Sequence, residues 1–284
     1  MPSGRAAMRL HRSGYRTKAE ILSELHWTLG LAQAGYPAPR PVTTLDEKLI
    51  HTTIFGQFVT VIEWIVGAPI GDGDVAFNAT PAELGKLYFG VGALLGRLHN
   101  ETDAWCAPSG FSRPKWDRAG LTGADPLWGK YWQTPGLNDA ETALICAARD
   151  KANEILRDFD DIADVGLIHA DALRENIFET DNGLALIDFD DAGVGYRMYE
   201  LGACLTQSVD EPAYPEMVTA LLDGYADVRN LCARSRQLYP MFAMLRSFGA
   251  LGWTIPRLSP DHPNIPRYVR RALMQAHEFL DTPL

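Results

Sequence analysis

Apolar residues recur at helical spacing over residues 18–34, and start and stop signals bracket that segment. Thr17, with Glu20 three residues on, makes a capping box, and Gly35 then Pro37 end the helix. Ahead of it, residues 7–11 read as one short strand. Behind it, residues 49–55 and 58–66 read as strands on either side of Gly56-Gln57. The second of these is rich in β-branched and aromatic side chains.

From Thr80 the pattern turns helical. Thr80-Pro81-Ala82-Glu83 is a second capping box with proline at the first helical position, and the helix runs to about His99. Residues 104–136 carry four of the seven tryptophans and four prolines, and are expected to be irregular. A helix over 139–159, a compact β segment over 165–189 and helical patterns to the end complete the chain. The tally is α+β: a small αβ part, residues 1–67, and a larger, mainly helical part, residues 68–284, carrying one hairpin.

Composition narrows the function classes. The chain has 284 residues, 46% hydrophobic and 22% charged, which is ordinary for a folded soluble domain. Its net charge of −10 disfavours nonspecific nucleic-acid binding, which rests on basic surface. The longest apolar run, residues 58–70, is interrupted by Glu63 and is too short for a membrane span. The four cysteines form no C-x-x-C pair; Cys146 and Cys204 are expected to be buried free thiols. A cytoplasmic setting without membrane or nucleic-acid partners is the default expectation.

The chemistry concentrates in residues 166–202. His169, Asp171 and Asn176 form H-x-D-x-x-x-x-N, and Asp188, in Ile187-Asp188-Phe189, follows Asn176 by twelve residues. This is the order of a phosphoryl-transfer site: a catalytic-loop Asp, an Asn for Mg²⁺, then a second metal-binding Asp. Residues 176–179 and 184–189 read as paired strands. A three-residue loop, Asp181-Asn182-Gly183, would set Thr180 against Leu184 and so Asn176 against Asp188. A two-residue turn would shift the pair by one and put the ligands on opposite faces, unless the ladder ends first.

These motifs resemble the aminoglycoside phosphotransferase / choline kinase superfamily, which has a bilobal protein-kinase-like fold. The chain is most similar to the branch of homoserine kinase type II, hydroxylysine kinase and stress-response kinase-like proteins. That similarity rests on Asp188-Phe189-Asp190-Asp191 and on Tyr199-Glu200-Leu201. The resemblance implies ATP and Mg²⁺ as cofactors, Asp171 as catalytic base, His169 as a brace beneath the catalytic loop, and Asn176 and Asp188 as metal ligands. It places Arg9 at the nucleotide phosphates, paired with Glu24 on the first helix, and makes Glu63-Trp64-Ile65 the inter-lobe hinge that meets adenine. For the acceptor, Asp190, Asp191 and Glu211 are candidates for an ammonium group. Trp128, Trp132 and Trp253 are candidate walls, and Arg246 is a candidate for a carboxylate.

The chain departs from the family pattern at three places. His-Gly-Asp becomes His169-Ala170-Asp171, and the Asp of "Y-D-L" becomes Glu200, which puts its anchoring role in question. Only eight residues precede Arg9, so the N-lobe is expected to look truncated, with Ser3-Gly4 as a strand remnant and no glycine loop over the phosphates. The leading expectation is a kinase moving the γ-phosphoryl of ATP to a hydroxyl of a small amino compound, such as homoserine or a related hydroxy-amino acid. A Ser/Thr protein kinase of the same fold and a catalytically impaired nucleotide-binding or regulatory protein are the alternatives.

Overall fold

The computed structural model describes residues 4–282; Ser3, half of the expected strand remnant, lies outside them. The chain opens with β1 (Ala6–Leu10), α1 (Lys18–Gln33), β2 (His51–Thr52) and β3 (Phe58–Glu63). These strands form one antiparallel sheet in the order β1-β3-β2, with Ala6 opposite Glu63 and Leu10 opposite Val59. The expected strand over 49–55 is only two residues long, because the turn at Gly56, with φ of 79°, begins three residues earlier. Helix α1 covers the sheet through a small core of Ile21, Leu25 and Ile50. β1 is an edge strand whose outward Met8 and Leu10 are exposed.

A second set of elements follows: β4 (Ala68–Pro69), α2 (Pro81–Ala104), β5 (Lys115–Trp116), α3 (Arg118–Thr122), α4 (Asp139–Phe159), β6 (Val165–Ile168), β7 (Ile177–Thr180), β8 (Gly183–Leu186) and β9 (Gly193–Tyr196). Helices α5 (Arg197–Cys204), α6 (Tyr214–Val228), α7 (Ala233–Gln237), α8 (Tyr239–Thr254) and α9 (Ile265–Asp281) complete the fold. Both expected capping boxes are present, and α4 has a third, in which Asn138 and Glu141 bond each other's backbone N–H. Each cap contributes about 1 kcal/mol. Helix α2 runs five residues past His99.

One large core unites these helices, with Tyr88, Leu95, Tyr199, Phe242 and Phe248 all fully buried. Helices α2 and α6 touch at glycines: a methyl group on Gly92 would collide with the Leu221 carbonyl, and one on Gly224 with that of Phe89. The aromatic excursion is stitched into this part. Its β5 pairs in parallel with β9, and Trp116 stacks on Tyr199 with ring centroids 5.3 Å apart. Cys204 is buried and donates to the Ala172 carbonyl, whereas Cys146 is half-buried. Among the described residues, no helix is long and apolar enough to cross a membrane.

Two three-stranded sheets position the site. In one, β4-β7-β8, the hairpin hangs beside the segment entering from the small part; in the other, β5-β9-β6, the end of β6 delivers His169 to Asp171.

Candidate active site

The loop after β6 is held from below by Glu200 of α5. Its carboxylate accepts the backbone N–H groups of His169 and of Ala170, the latter at 3.0 Å. The extra methylene of Glu200 therefore does not cost the loop its anchor. Burial pushes the Glu200 carboxyl up to about 8, and the two backbone donors pull in the other direction. Ala170 sits at φ of 66°, the region a glycine enters without strain. The two N–H bonds to Glu200 hold it there.

His169 ties two loops together. Its Nδ1 accepts the Asp171 N–H at 3.2 Å, so its Nε2 carries the proton and donates to the Ile187 carbonyl at 2.8 Å. The ring is wholly buried and lies edge-on to Phe189, 4.6 Å between centroids. Burial lowers its pKa to about 4, so the imidazole is neutral near pH 7.

Asp171 is gripped from both sides. Asn176 gives its side-chain N–H groups to the Asp171 carbonyl at 2.9 Å and to Oδ2 at 3.1 Å. Arg246 of α8 donates to Oδ1 at 2.7 Å, and its guanidinium lies over the Trp128 ring, 4.6 Å from the centroid. The carboxylate that meets Arg246 is thus the chain's own. Burial raises the Asp171 carboxyl to about 7, while Arg246 opposes that rise.

The hairpin has the other register. Thr180 pairs with Gly183 and Ile177 with Leu186, so the loop is the two-residue Asp181-Asn182. Asn176 then faces Ile187, whose N–H it accepts at 2.9 Å, rather than Asp188. The ladder ends there, and Asp188 leaves it at φ of 59°. That left-handed step re-aims the Asp188 side chain and replaces the cross-strand pairing that the spacing predicts.

Arg9 reaches Asp188 at 3.4 Å and Asp190 at 2.8 Å. Glu24, expected to pair with Arg9, instead pairs with Arg113 at 3.7 Å, and burial raises its carboxyl to about 7. Arg113 went unnoticed in the sequence because it sits in the irregular excursion, where no periodicity marks it. Its fully buried guanidinium donates to the carbonyls of Glu20, Phe189, Asp190 and Ala192, fastening the Asp188–Asp191 loop to α1. Arg16 adds a second tie, to Asp191 at 2.9 Å and to the Asp190 carbonyl at 3.0 Å.

Two cavities flank this machinery. One, of about 310 Å³, is lined by Arg9, Glu24, Glu63, Trp64, Ile65 and Asp188, together with the apolar Ala7, Phe178 and Ile187. The other, of about 170 Å³, is lined by Asp171, Asp191, Trp128, Arg246, Trp253 and Arg267, among others. Three acceptor candidates lie elsewhere. Asp190 is on Arg9; Glu211 holds the buried Arg174 at 2.9 Å; Trp132 lies under Arg149, 4.6 Å from its ring centroid.

Among the described residues, no group of three or more His, Cys, Asp or Glu side chains could hold a metal by itself. The donors present fit a hard cation that takes its remaining ligands from phosphates and water, as Mg²⁺ does. Asn176 spends its amide N–H groups on Asp171, which leaves its oxygen as a ligand, and the Asp188 side chain is half-exposed.

A family model described as "Phosphotransferase enzyme family" matches residues 2–238. A homoserine kinase of Acidiphilium cryptum (strain JF-5) is 27% identical over 233 residues, covering 77% of this chain. The chain spans 65% of that relative's length. The solved structure of a microcompartment-associated aminopropanol kinase superposes with a TM-score of 0.82 at 27% identity, over 97% of this chain and 86% of that one. An amicoumacin kinase in complex with AMP-PNP, Ca²⁺ and Ami shares the fold, with a TM-score of 0.72 at 19% identity, over 95% and 82% of the two chains. The fold is accordingly the α+β, protein-kinase-like one, and the chain belongs to the phosphotransferase enzyme family.

Proposed function

We propose that the protein is a kinase that moves the γ-phosphoryl group of ATP, with Mg²⁺, to a hydroxyl of a small amino compound. The observation that carries this reading is the place of Asp171. It lines the smaller cavity and is bonded to Asn176, while Asp188 lines the larger cavity next to it. A base that faces the acceptor and two oxygen ligands that face the nucleotide are what in-line phosphoryl transfer requires.

In this reading residues 1–67 and 68–284 are the two lobes. The adenine lies along Glu63, Trp64 and Ile65, and Arg9 turns toward the phosphates. Asn176 and Asp188 would hold Mg²⁺, which would supply positive charge against the phosphates. The acceptor oxygen attacks the γ-phosphorus, its proton passes to Asp171, and the bond from that phosphorus to the β-phosphate oxygen breaks. With its carboxyl at about 7, Asp171 is poised between holding and releasing a proton at neutral pH, a setting that typically contributes 10²–10⁴-fold. His169 and Glu200 act through the loop, by positioning.

The acceptor's ammonium group would meet Asp191, with Trp128 and Trp253 as walls. Homoserine and aminopropanol, named for the relatives above, both carry one hydroxyl and one amine, and a cavity of about 170 Å³ suits molecules of that size. AMP-PNP and Ca²⁺ in the amicoumacin kinase support a nucleotide with a divalent cation.

The test is ADP release with Mg·ATP against homoserine, aminopropanol, choline-like amines and aminoglycosides. Acceptor-dependent ADP formation is expected with an amino alcohol or hydroxy-amino acid and lost on chelating the metal. Release that no acceptor stimulates would sink the proposal.

A further inference from the structure

A third cavity, of about 640 Å³, shares Trp128 with the acceptor pocket; that pocket sets Asp74, Asp171 and Asp191 against Arg246, Arg267 and Arg271, whereas the charged side chains lining the third cavity are all basic. Arg12, Arg16, Lys130 and Arg257 line it, and no Asp or Glu does. In a chain with 36 acidic and 26 basic residues, such a lining runs against the overall charge.

Two of the four cations have carboxylate partners. Arg16 has Asp191 at 2.9 Å, and Lys130 has the exposed Asp125 at 3.1 Å. Among the described residues Arg257 has only neutral ones: the Tyr15 hydroxyl at 3.2 Å, the Trp253 carbonyl at 3.3 Å, and the faces of Trp253 and Tyr15 at 4.9 and 5.7 Å. Arg12, exposed in the turn after β1, makes no ion pair among the described residues. Two guanidinium groups without a carboxylate partner among the described residues thus line one cavity with the Lys130 ammonium, whose own partner is the exposed Asp125. Like charges gathered this way repel, and an anion between them removes that cost.

The donors indicate which anion. A guanidinium fork matches the oxygens of phosphate, and two forks plus an ammonium offer more donors than one carboxylate accepts. Tyr15, Leu127, Trp128 and Pro256 supply apolar and aromatic wall for an organic body. We propose that this cavity binds a small organic phosphate monoester, with Arg12, Arg257 and Lys130 on the phosphate. The site adjoins the acceptor pocket through Asp191, which Arg16 and the Tyr15 hydroxyl both contact. It does not depend on the kinase reading.

Calorimetric titration of the full chain at low salt, with AMP-PNP and Mg²⁺ present to fill the nucleotide cleft, tests the assignment with two probes, phenyl phosphate and inorganic phosphate. Phenyl phosphate is expected to bind with a Kd of about 1 mM or tighter, and inorganic phosphate about tenfold more weakly. The Arg12→Gln/Arg257→Gln variant should lose at least about tenfold for phenyl phosphate. It should keep its thermal midpoint and its affinity for AMP-PNP. Arg12→Gln alone, at an exposed position, should weaken phenyl phosphate severalfold and so gives the answer if the double variant does not fold. Loss in these variants assigns the heat to this cavity whether or not AMP-PNP binds. No heat with phenyl phosphate, or undiminished binding in the variants, overturns the proposal. Equal affinity for inorganic phosphate overturns the organic-ester assignment.

Discussion

Asp171 and Asp188 are the same side chain in opposite surroundings. Asp171 is largely enclosed by the large part of the molecule, ion-paired to an Arg246 that is itself 5% exposed, and bonded by Asn176. Asp188 is 51% exposed, at the mouth of the cleft, with the half-exposed Arg9 as its partner at 3.4 Å. Burial makes the proton affinity of the first a property the fold can set; exposure leaves the second ready for a cation that arrives with its substrate. In the proposed reading the acceptor side is thus built for proton control and the nucleotide side for exchange of ligands.

The largest expected effect breaks the acceptor side. Asp171→Asn keeps the shape but cannot take a proton. Turnover should fall by about 10³-fold while affinity for Mg·AMP-PNP stays within severalfold. Turnover within tenfold of the parent would remove Asp171 as base.

Next comes the nucleotide side. Asp188→Ala should weaken Mg²⁺-dependent AMP-PNP binding by at least about tenfold and leave metal-free binding little changed. Unchanged affinity by calorimetry would show that the metal lies elsewhere.

Arg246→Met sharpens the contrast, because it removes the cation that holds the Asp171 carboxyl down. In the proposed mechanism Asp171 works as the carboxylate, so activity should rise with pH through its pKa, about 7 in the parent. Without Arg246 that pKa climbs, and the acid limb of the turnover profile should move up by roughly one unit. Most activity should return by pH 9. A uniform loss at every pH would mean that Arg246 serves the acceptor rather than the base.

The smallest effect concerns His169, the tie between the two sides. Its folded-state pKa, about 4, lies below its ordinary 6.5, so the unfolded chain binds a proton that the folded one refuses. Its contribution is whole at neutral pH and is lost as pH falls from 6.5 toward 4. Glu200 and Asp171, with raised pKa values, act in the reverse sense, so the measurement is a difference. Urea unfolding should show His169→Gln less stable than the parent at pH 7, with the gap narrowing by roughly 1–2 kcal/mol at pH 5. A gap that does not change with pH would mean His169 is protonated alike in both states.

What was readable in advance and what was not divides along physical lines. The helices starting at Lys18, Pro81 and Asp139 are where their patterns put them, because a cap and an apolar stripe are local and the same few residues supply both. The motif of Asp171, Asn176 and Asp188 was also legible, since the three residues flank one short hairpin in the chain. Its register was not. Asp181-Asn182-Gly183 suits two loop lengths equally well, and Asp188 escapes the ladder by a single left-handed residue that no periodicity announces.

The partners of the charged residues were settled only by the tertiary structure. Arg246 and Asp171 are 75 residues apart in sequence, and Arg113 reaches carbonyls 76 to 93 residues away. An arginine's reach and five donors allow many partners, and which one it takes depends on where packing leaves it. The sequence by itself determined the motif of His169, Asp171, Asn176 and Asp188 and the capped helices around it, because these follow from residue type and short spacing. The packing of α1, α8 and the aromatic excursion around that hairpin decided that Glu24 meets Arg113, that Arg246 meets Asp171, and that four cations line one cavity of an acidic protein. Those outcomes depend on distances between elements far apart in the chain, and no local pattern encodes them.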